Sequence, residues 1–242
     1  MAEDKPVSIW DHLEDLRKTL LYAISGILIC VIAGYFVARP VMDFLARPIG
    51  GIANLQAIEV TENVSVTMRV ALLVGIIIAT PWVFYQFFSF IGKGLTKKEK
   101  RAVLIAVPFA TLMFVGGAAF AYFVMLPTSI KFFMTFLQVE TSLRIKSYID
   151  FVTNLIFWIA SSFELPVLVF VLARVGLVTP KMLLSGWRVA VVVIAVAAAI
   201  ITPTADPVNM AIFMIPLFAL YLLSIGLSAI AARLRSKSVE KE

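Results

Sequence analysis

Acidic side chains occupy three places in this chain where a carboxylate could do chemistry. Glu164 lies in S-F-E-L-P-V-L-V-F, residues 162–170, inside a long apolar run. Asp11, Glu14 and Asp15 lie in S-I-W-D-H-L-E-D-L-R-K, residues 8–18, just before the first apolar run. Glu99 lies in G-L-T-K-K-E-K-R, residues 94–101, among lysines and an arginine. A carboxylate can relay a proton, hold a cation or accept the donors of a guanidinium. Near the centre of a bilayer it costs roughly 2.5–3.5 kcal/mol on insertion scales, so Glu164 needs a reason. At 100° per residue, Asp150, Asn154, Phe157, Ser161, Glu164 and Leu168 share an arc of about 80°. The acid therefore belongs to a polar stripe with Asn154 and Ser161 that faces protein or water rather than lipid. That stripe suits a proton or cation relay or a patch for a polar passenger; its plain alternative is a buried acid hydrogen-bonded to a neighbouring helix.

The other acids also have two readings each. Trp10, Leu13, Leu16 and Leu20 make an apolar face, with Asp11, Glu14, Asp15 and Lys18 turned away from it, as in a helix lying at a membrane interface. Glu14 can pair with Lys18 at i,i+4, so the segment is either simply solvated or binds a cation. Thr96 to Glu99 reads as a capping box, and Asp206 before Pro207 reads as an N-cap with proline at the first helical position. Soluble-enzyme chemistry is nearly absent. The lone His12 has no nucleophile beside it, Cys30 is the only cysteine, and no phosphate-binding glycine loop occurs. No catalytic residue, metal site or cofactor is expected.

The elements that position these residues are membrane spans. Of 242 residues, 61% are hydrophobic and 15% charged, with mean hydropathy +0.98. A soluble domain of this size is usually nearer half apolar and a quarter charged. The net charge of +6 comes from basic residues between apolar runs and at the C-terminus, which is membrane topology and not a nucleic-acid surface. Six spans are drawn at 20–38, 70–91, 102–126, 151–173, 189–201 and 208–232. A helix needs about 20 residues to cross ~30 Å of hydrocarbon, so the fifth span is short and implies thinning or mismatch around the hairpin it forms with the sixth. With the N-terminus inside, fifteen lysines and arginines fall in inner segments and five in outer loops, leaving Arg69 at a span end. Both termini are then cytoplasmic. Pro81, Pro108, Pro166 and Pro216 fall inside spans and predict kinks and a curved bundle, and Pro48 is counted with the structural kinks and caps. Residues 41–45 and 130–137 suit short helices at the outer interface. No internal repeat is visible, so the chain is expected to form one membrane domain, 1–242. It divides into an amphipathic cytoplasmic helix at 1–19, a six-span bundle at 20–232 and a basic cytoplasmic tail at 233–242.

Six motifs in order then resemble one family. They are H-L-E-D-L-R-K before span one, T-P-W-V-F-Y-Q-F in span two, L-T-K-K-E-K-R after it, F-A-Y-F-V-M-L-P closing span three, S-F-E-L-P in span four and I-T-P-T-A-D-P between spans five and six. Together they are similar to TatC, the multispanning receptor subunit of the twin-arginine protein translocase. The resemblance implies an all-α, six-helix, concave bundle with short fifth and sixth helices, in the prokaryotic cytoplasmic membrane. It implies no enzyme, but a receptor for the paired arginines in signal peptides of folded cargo, driven by the proton-motive force. Its partners would be single-span subunits of the TatA and TatB families along spans five and six, further copies of itself within the translocase, and the lipid bilayer. The signal-peptide site would comprise Asp15, Glu14, Glu99 and Arg17. The family usually has Glu where this chain has Asp15, so the shorter arm shifts part of the work to Glu14. Glu164, with Ser161 and Asn154, would form the polar floor of the concave groove, shaped by Pro166. The alternative outside this family is a proton-coupled small-solute transporter relaying through Glu164.

Overall fold

The computed structural model describes residues 9–92, 97–137, 143–202 and 207–239. The first helix, α1, runs Ile9–Leu45 without a break. At ~1.5 Å per residue its 37 residues reach about 55 Å, well beyond a membrane core. It therefore fuses the amphipathic segment, the first span and residues 41–45, which the sequence reading treats as a separate helix. Pro40 lies inside it; near a helix end the one hydrogen bond that proline forfeits is tolerable. A tight turn follows, with Pro48 opening a 3-10 turn at Arg47–Ile49 and Gly50 and Gly51 at φ 87° and 111°. Only glycine adopts that left-handed backbone without strain.

The remaining helices are α2, Glu62–Ile91; α3, Lys97–Phe120; α4, Leu126–Leu137; α5, Ile145–Ser162; α6, Leu165–Val175; α7, Pro180–Ser185; α8, Trp187–Ile201; and α9, Pro207–Val239. A π-helical turn at Ala121–Met125 joins α3 to α4, so residues 130–137 continue the third span instead of forming a separate element. Five helical stretches are long and apolar enough to cross a membrane, and α8 is a shorter apolar helix of 15 residues. That is about 22 Å, so the fifth span is short, as its run length predicts. The sixth is different: α9 has 33 residues, and its helix runs through the basic stretch up to Val239. Lys, Arg, Ala and Ser tolerate a helix well enough that charge alone does not end one.

Pro166 does more than bend the fourth span. The span divides into α5 and α6 at Phe163 and Glu164, and Pro166 sits in the first turn of α6. Proline has no N–H to donate to Ser162 O and its ring crowds that carbonyl, and at the break the Glu164 N–H reaches only three residues back, to Ser161 O at 3.2 Å. In the turn before the break, Ser161 and Ser162 donate their hydroxyls to Phe157 O and Trp158 O. Such back-bonding loosens the last turn of a helix.

The core centres on α5. Ile149, Val152, Leu155, Ile156 and Ile159 are buried against Val70 and Ala71 of α2, Leu126 of α4, Ile194 and Ala198 of α8, and Phe213 and Leu217 of α9. A smaller cluster joins Phe88, Ala106, Ala110, Val167 and Val171. By contrast α1 is peripheral, with only 6% of its most apolar window buried. It is anchored along α2 instead, at Gly34 and Gly75. A Cβ on Gly34 would lie 2.6 Å from Ala71 O, and one on Gly75 would lie 2.6 Å from Val31 Cα.

The end of the bundle opposite the N-terminus is stapled. Residues Leu55–Gln56 and Leu143–Arg144 pair as two-residue parallel strands, β1 and β2. Arg144 Nη2 bridges to Glu59 at 2.8 Å and pairs with Glu62, whose side chain is 1% exposed. Hydrogen bonds to Glu62, then to Glu59, raise the guanidinium above its ordinary pKa, so it stays charged. Tyr122 and Tyr148 donate their hydroxyls to Phe44 O at 2.6 Å and Leu45 O at 2.8 Å. These are C-terminal carbonyls of α1 with no partner inside the helix. Changing both tyrosines to phenylalanine is expected to cost about 1 kcal/mol for each lost bond, read as a lower melting temperature in detergent. An unchanged melting temperature would mean that those carbonyls find other donors.

Candidate functional site

The acidic start of α1 is partly exposed. Glu14 and Arg17 are exposed and Asp15 is half-buried. Glu14 accepts Lys18 Nζ at 2.7 Å, the expected i,i+4 pair, with both side chains about three-fifths exposed. An exposed pair of this kind contributes only ~0.3–0.5 kcal/mol, so an incoming cation can displace Lys18. Trp10, Leu13, Leu16 and Leu20 are all exposed, which confirms the uncovered apolar face. Glu99 lies in the first turn of α3, and its side chain is outside the described residues, as are Thr96 and Asp206. Because α2 runs back between them, α1 and α3 begin at the same end of the bundle.

The polar stripe of the fourth span does not form one site. Asn154 and Asp150 meet Arg69 of α2: Arg69 Nη2 donates to Asn154 Oδ1 at 2.8 Å, and Nε lies 3.0 Å from Asp150 Oδ1. The same Nε donates to Thr153 Oγ1 at 2.9 Å. A cavity of about 210 Å³ opens beside them, lined also by Leu72, Leu73, Ile76 and Phe157. Ser161 is spent on its own helix. Glu164 is not an open groove floor. It is 6% exposed, neither carboxyl oxygen has a hydrogen-bond partner among the described residues, and the backbone of Phe114 on α3 lies against it. The helices close tightly beside it, since a Cβ on Gly117 would sit 2.9 Å from Ala160 Cα. The two ends of the stripe therefore serve different neighbours: Asp150 and Asn154 meet Arg69 at a partly open surface, and Glu164 is buried beside α3.

Pro81 stays inside α2, and opposite it stands Pro108 of α3. Between the two helices lies an apolar cleft of about 410 Å³, lined also by Val107, Thr111, Leu112 and Val115. Pro48 shapes the turn after α1, away from the acidic face. Among the described residues no group of three His, Cys, Asp or Glu could hold a metal ion. Two features escape a reading of single helices. One is Arg69, whose signal is a cation at a span boundary opposite an acid in another span. The other is the helix crossing, whose signal is a small-x-x-x-small pair on each partner, Gly34 with Ala38 and Ala71 with Gly75.

Comparison with known proteins agrees with this architecture. The family model "Sec-independent protein translocase protein (TatC)" matches residues 11–216. The chain is 35% identical to the Sec-independent protein translocase protein TatC of Koribacter versatilis, over 93% of this chain and 86% of that one. It is 37% identical to the TatC of Helicobacter pylori strain J99, over 88% of this chain and 86% of that one. Among solved structures it superposes on a crystal structure of the twin arginine translocase receptor TatC. The TM-score is 0.81 at 35% identity, over 91% of this chain and 99% of that one. With its helices long and apolar enough for a multi-pass membrane protein, the chain belongs to the TatC family of Sec-independent protein translocase proteins, which are not enzymes.

Proposed function

We propose that this chain is the signal-peptide receptor of a twin-arginine translocase in a prokaryotic cytoplasmic membrane, acting as one membrane domain with both termini in the cytoplasm. The observation that carries this reading is the exposed Glu14, with half-buried Asp15 beside it, at the start of α1, at the end of the bundle where α3 and Glu99 begin. Two guanidiniums arriving at a membrane surface need carboxylates, which accept their forked donors in pairs. Asp15 and Glu99 receive them, Glu14 assists by releasing Lys18, and Arg17 belongs to the same exposed patch. The apolar part of the peptide then enters the concave side of the bundle towards Glu164. Single-span subunits of the TatA and TatB families dock along α8 and α9, where Val189, Val192, Val193, Val196 and Leu222 are exposed. Further copies of the chain join the assembly, and the proton-motive force drives transport of the folded cargo.

The test is co-purification of the full chain with a tagged peptide bearing Arg-Arg, repeated with Lys-Lys. The reading expects capture of the first and not the second, because a compact ammonium cannot make the bidentate contact. Equal capture of both would refute it. Glu164 plays a later part in this scheme. Its burial means that α3 and α6 must part before a peptide can touch it. Glu164→Ala is therefore expected to leave peptide capture intact while impairing transport of the cargo. If that variant loses peptide capture at the surface, the division of labour between the two sites is wrong.

A further inference from the structure

We propose that Arg69 and Asp150 form the headgroup end of a phospholipid site, in the leaflet opposite the N-terminus, selective for an ethanolamine headgroup. Depth is the first argument. Val70–Ile91 comprises 22 residues and rises about 33 Å, the thickness of the hydrocarbon core. Arg69 therefore stands at the level of the lipid phosphates, and Asp150 faces it from α5 at 3.0 Å. The second argument is unused hydrogen-bonding capacity. Arg69 spends Nε and Nη2 on Asp150, Thr153 and Asn154, and Asp150 spends Oδ1, which leaves Arg69 Nη1 and Asp150 Oδ2 without a bond among the described residues. Both side chains remain about a third exposed, at 37% and 35%.

Charge and shape then select the ligand. The two charges cancel, so the site has no net pull on a plain anion, but side by side they match a zwitterion: phosphate on Nη1 and ammonium on Oδ2. A choline headgroup has no N–H to donate to Oδ2. The cavity of about 210 Å³ continues along Leu72, Leu73, Ile76 and Phe157, an apolar wall that an acyl chain fills and a free phosphate does not.

The experiment is native mass spectrometry of the full chain in detergent. Phosphatidylethanolamine, phosphatidylcholine and phosphatidylglycerol of identical acyl chains are offered together, and inorganic phosphate separately. The expected result is retention of the ethanolamine lipid roughly tenfold over the other two, the ratio for one charge-assisted hydrogen bond. R69Q is expected to lose that retention, and D150N to retain ethanolamine and choline lipids alike. I76W fills the cavity without touching the ion pair and is expected to exclude lipid from a protein that melts like the parent. Equal retention of the three lipids, preference for phosphatidylglycerol, binding of inorganic phosphate without lipid, or undiminished retention by I76W would each overturn the site. Should R69Q or D150N fail to fold, the parent's lipid preference and I76W still decide it.

Discussion

Replacing Asp15 and Glu99 together with alanine is expected to abolish crosslinking of the chain to a signal peptide that carries paired arginines. Each guanidinium–carboxylate contact at a partly desolvated surface contributes about 2 kcal/mol, so losing both weakens binding roughly a thousandfold. The single variants should fall near the square root of that, since the two acids start from different helices and each can hold one arginine alone. Asp15→Glu should retain binding, because it keeps the carboxylate and only lengthens its arm. Glu14→Ala should cost less than the double variant, because Glu14 has Lys18 at 2.7 Å and must surrender that pair before it contributes. Crosslinking that survives in the double variant would place the arginines elsewhere. The polar stripe of α5 would not be the substitute, since Asp150 and Asn154 are engaged by Arg69 towards the opposite end of the bundle.

Much of this architecture is legible in the sequence because a bilayer leaves few choices. Apolar run length gives the spans, and the short run before Thr202 foretells the 15-residue α8. The acidic face of α1 is legible too, because one helix's periodicity encodes it. What lies between helices is not. The arc through Asp150, Asn154, Ser161 and Glu164 is legible as one face of a helix, yet nothing in its period says that Arg69 meets one end and α3 buries the other. That depends on the register of α2 and α3 against α5, which packing decides. Prolines mislead in both directions. Pro40 leaves α1 unbroken, while Pro166 with two serines before it divides a span. The difference is context: two back-bonding hydroxyls already weaken the turn preceding Pro166. Likewise the basic stretch after residue 232 reads as a tail by charge, although its residues sustain the helix of α9.

The same register argument predicts the second large effect, at the crossing of α1 and α2. Between apolar helices in lipid the hydrophobic effect supplies no attraction, so association depends on close van der Waals packing. Here that packing is set by glycine. A Cβ at position 75 would meet Val31 Cα at 2.6 Å and Val31 N at 2.7 Å, backbone atoms that cannot swing aside. Gly34 is equally closed, by Ala71 O. Gly75→Ala is expected to destabilise the protein by about 1–3 kcal/mol, the usual cost of overpacking, and Gly75→Leu to detach α1 from α2. Detachment matters beyond stability, because α1 has little other burial and carries Asp15 at its start. The leucine variant should therefore lose peptide capture along with its melting transition, whereas Asp15→Ala should lose capture alone. Gly116 is the internal control. A Cβ there meets nothing within 4 Å, although its neighbour Gly117 would strike Ala160. Gly116→Ala should melt like the parent or slightly higher, since alanine is the better helix former by up to about 1 kcal/mol. If Gly75→Leu melts and binds like Gly116→Ala, the two helices do not cross where the glycines allow it, and the position of Asp15 must be fixed by something other than α2.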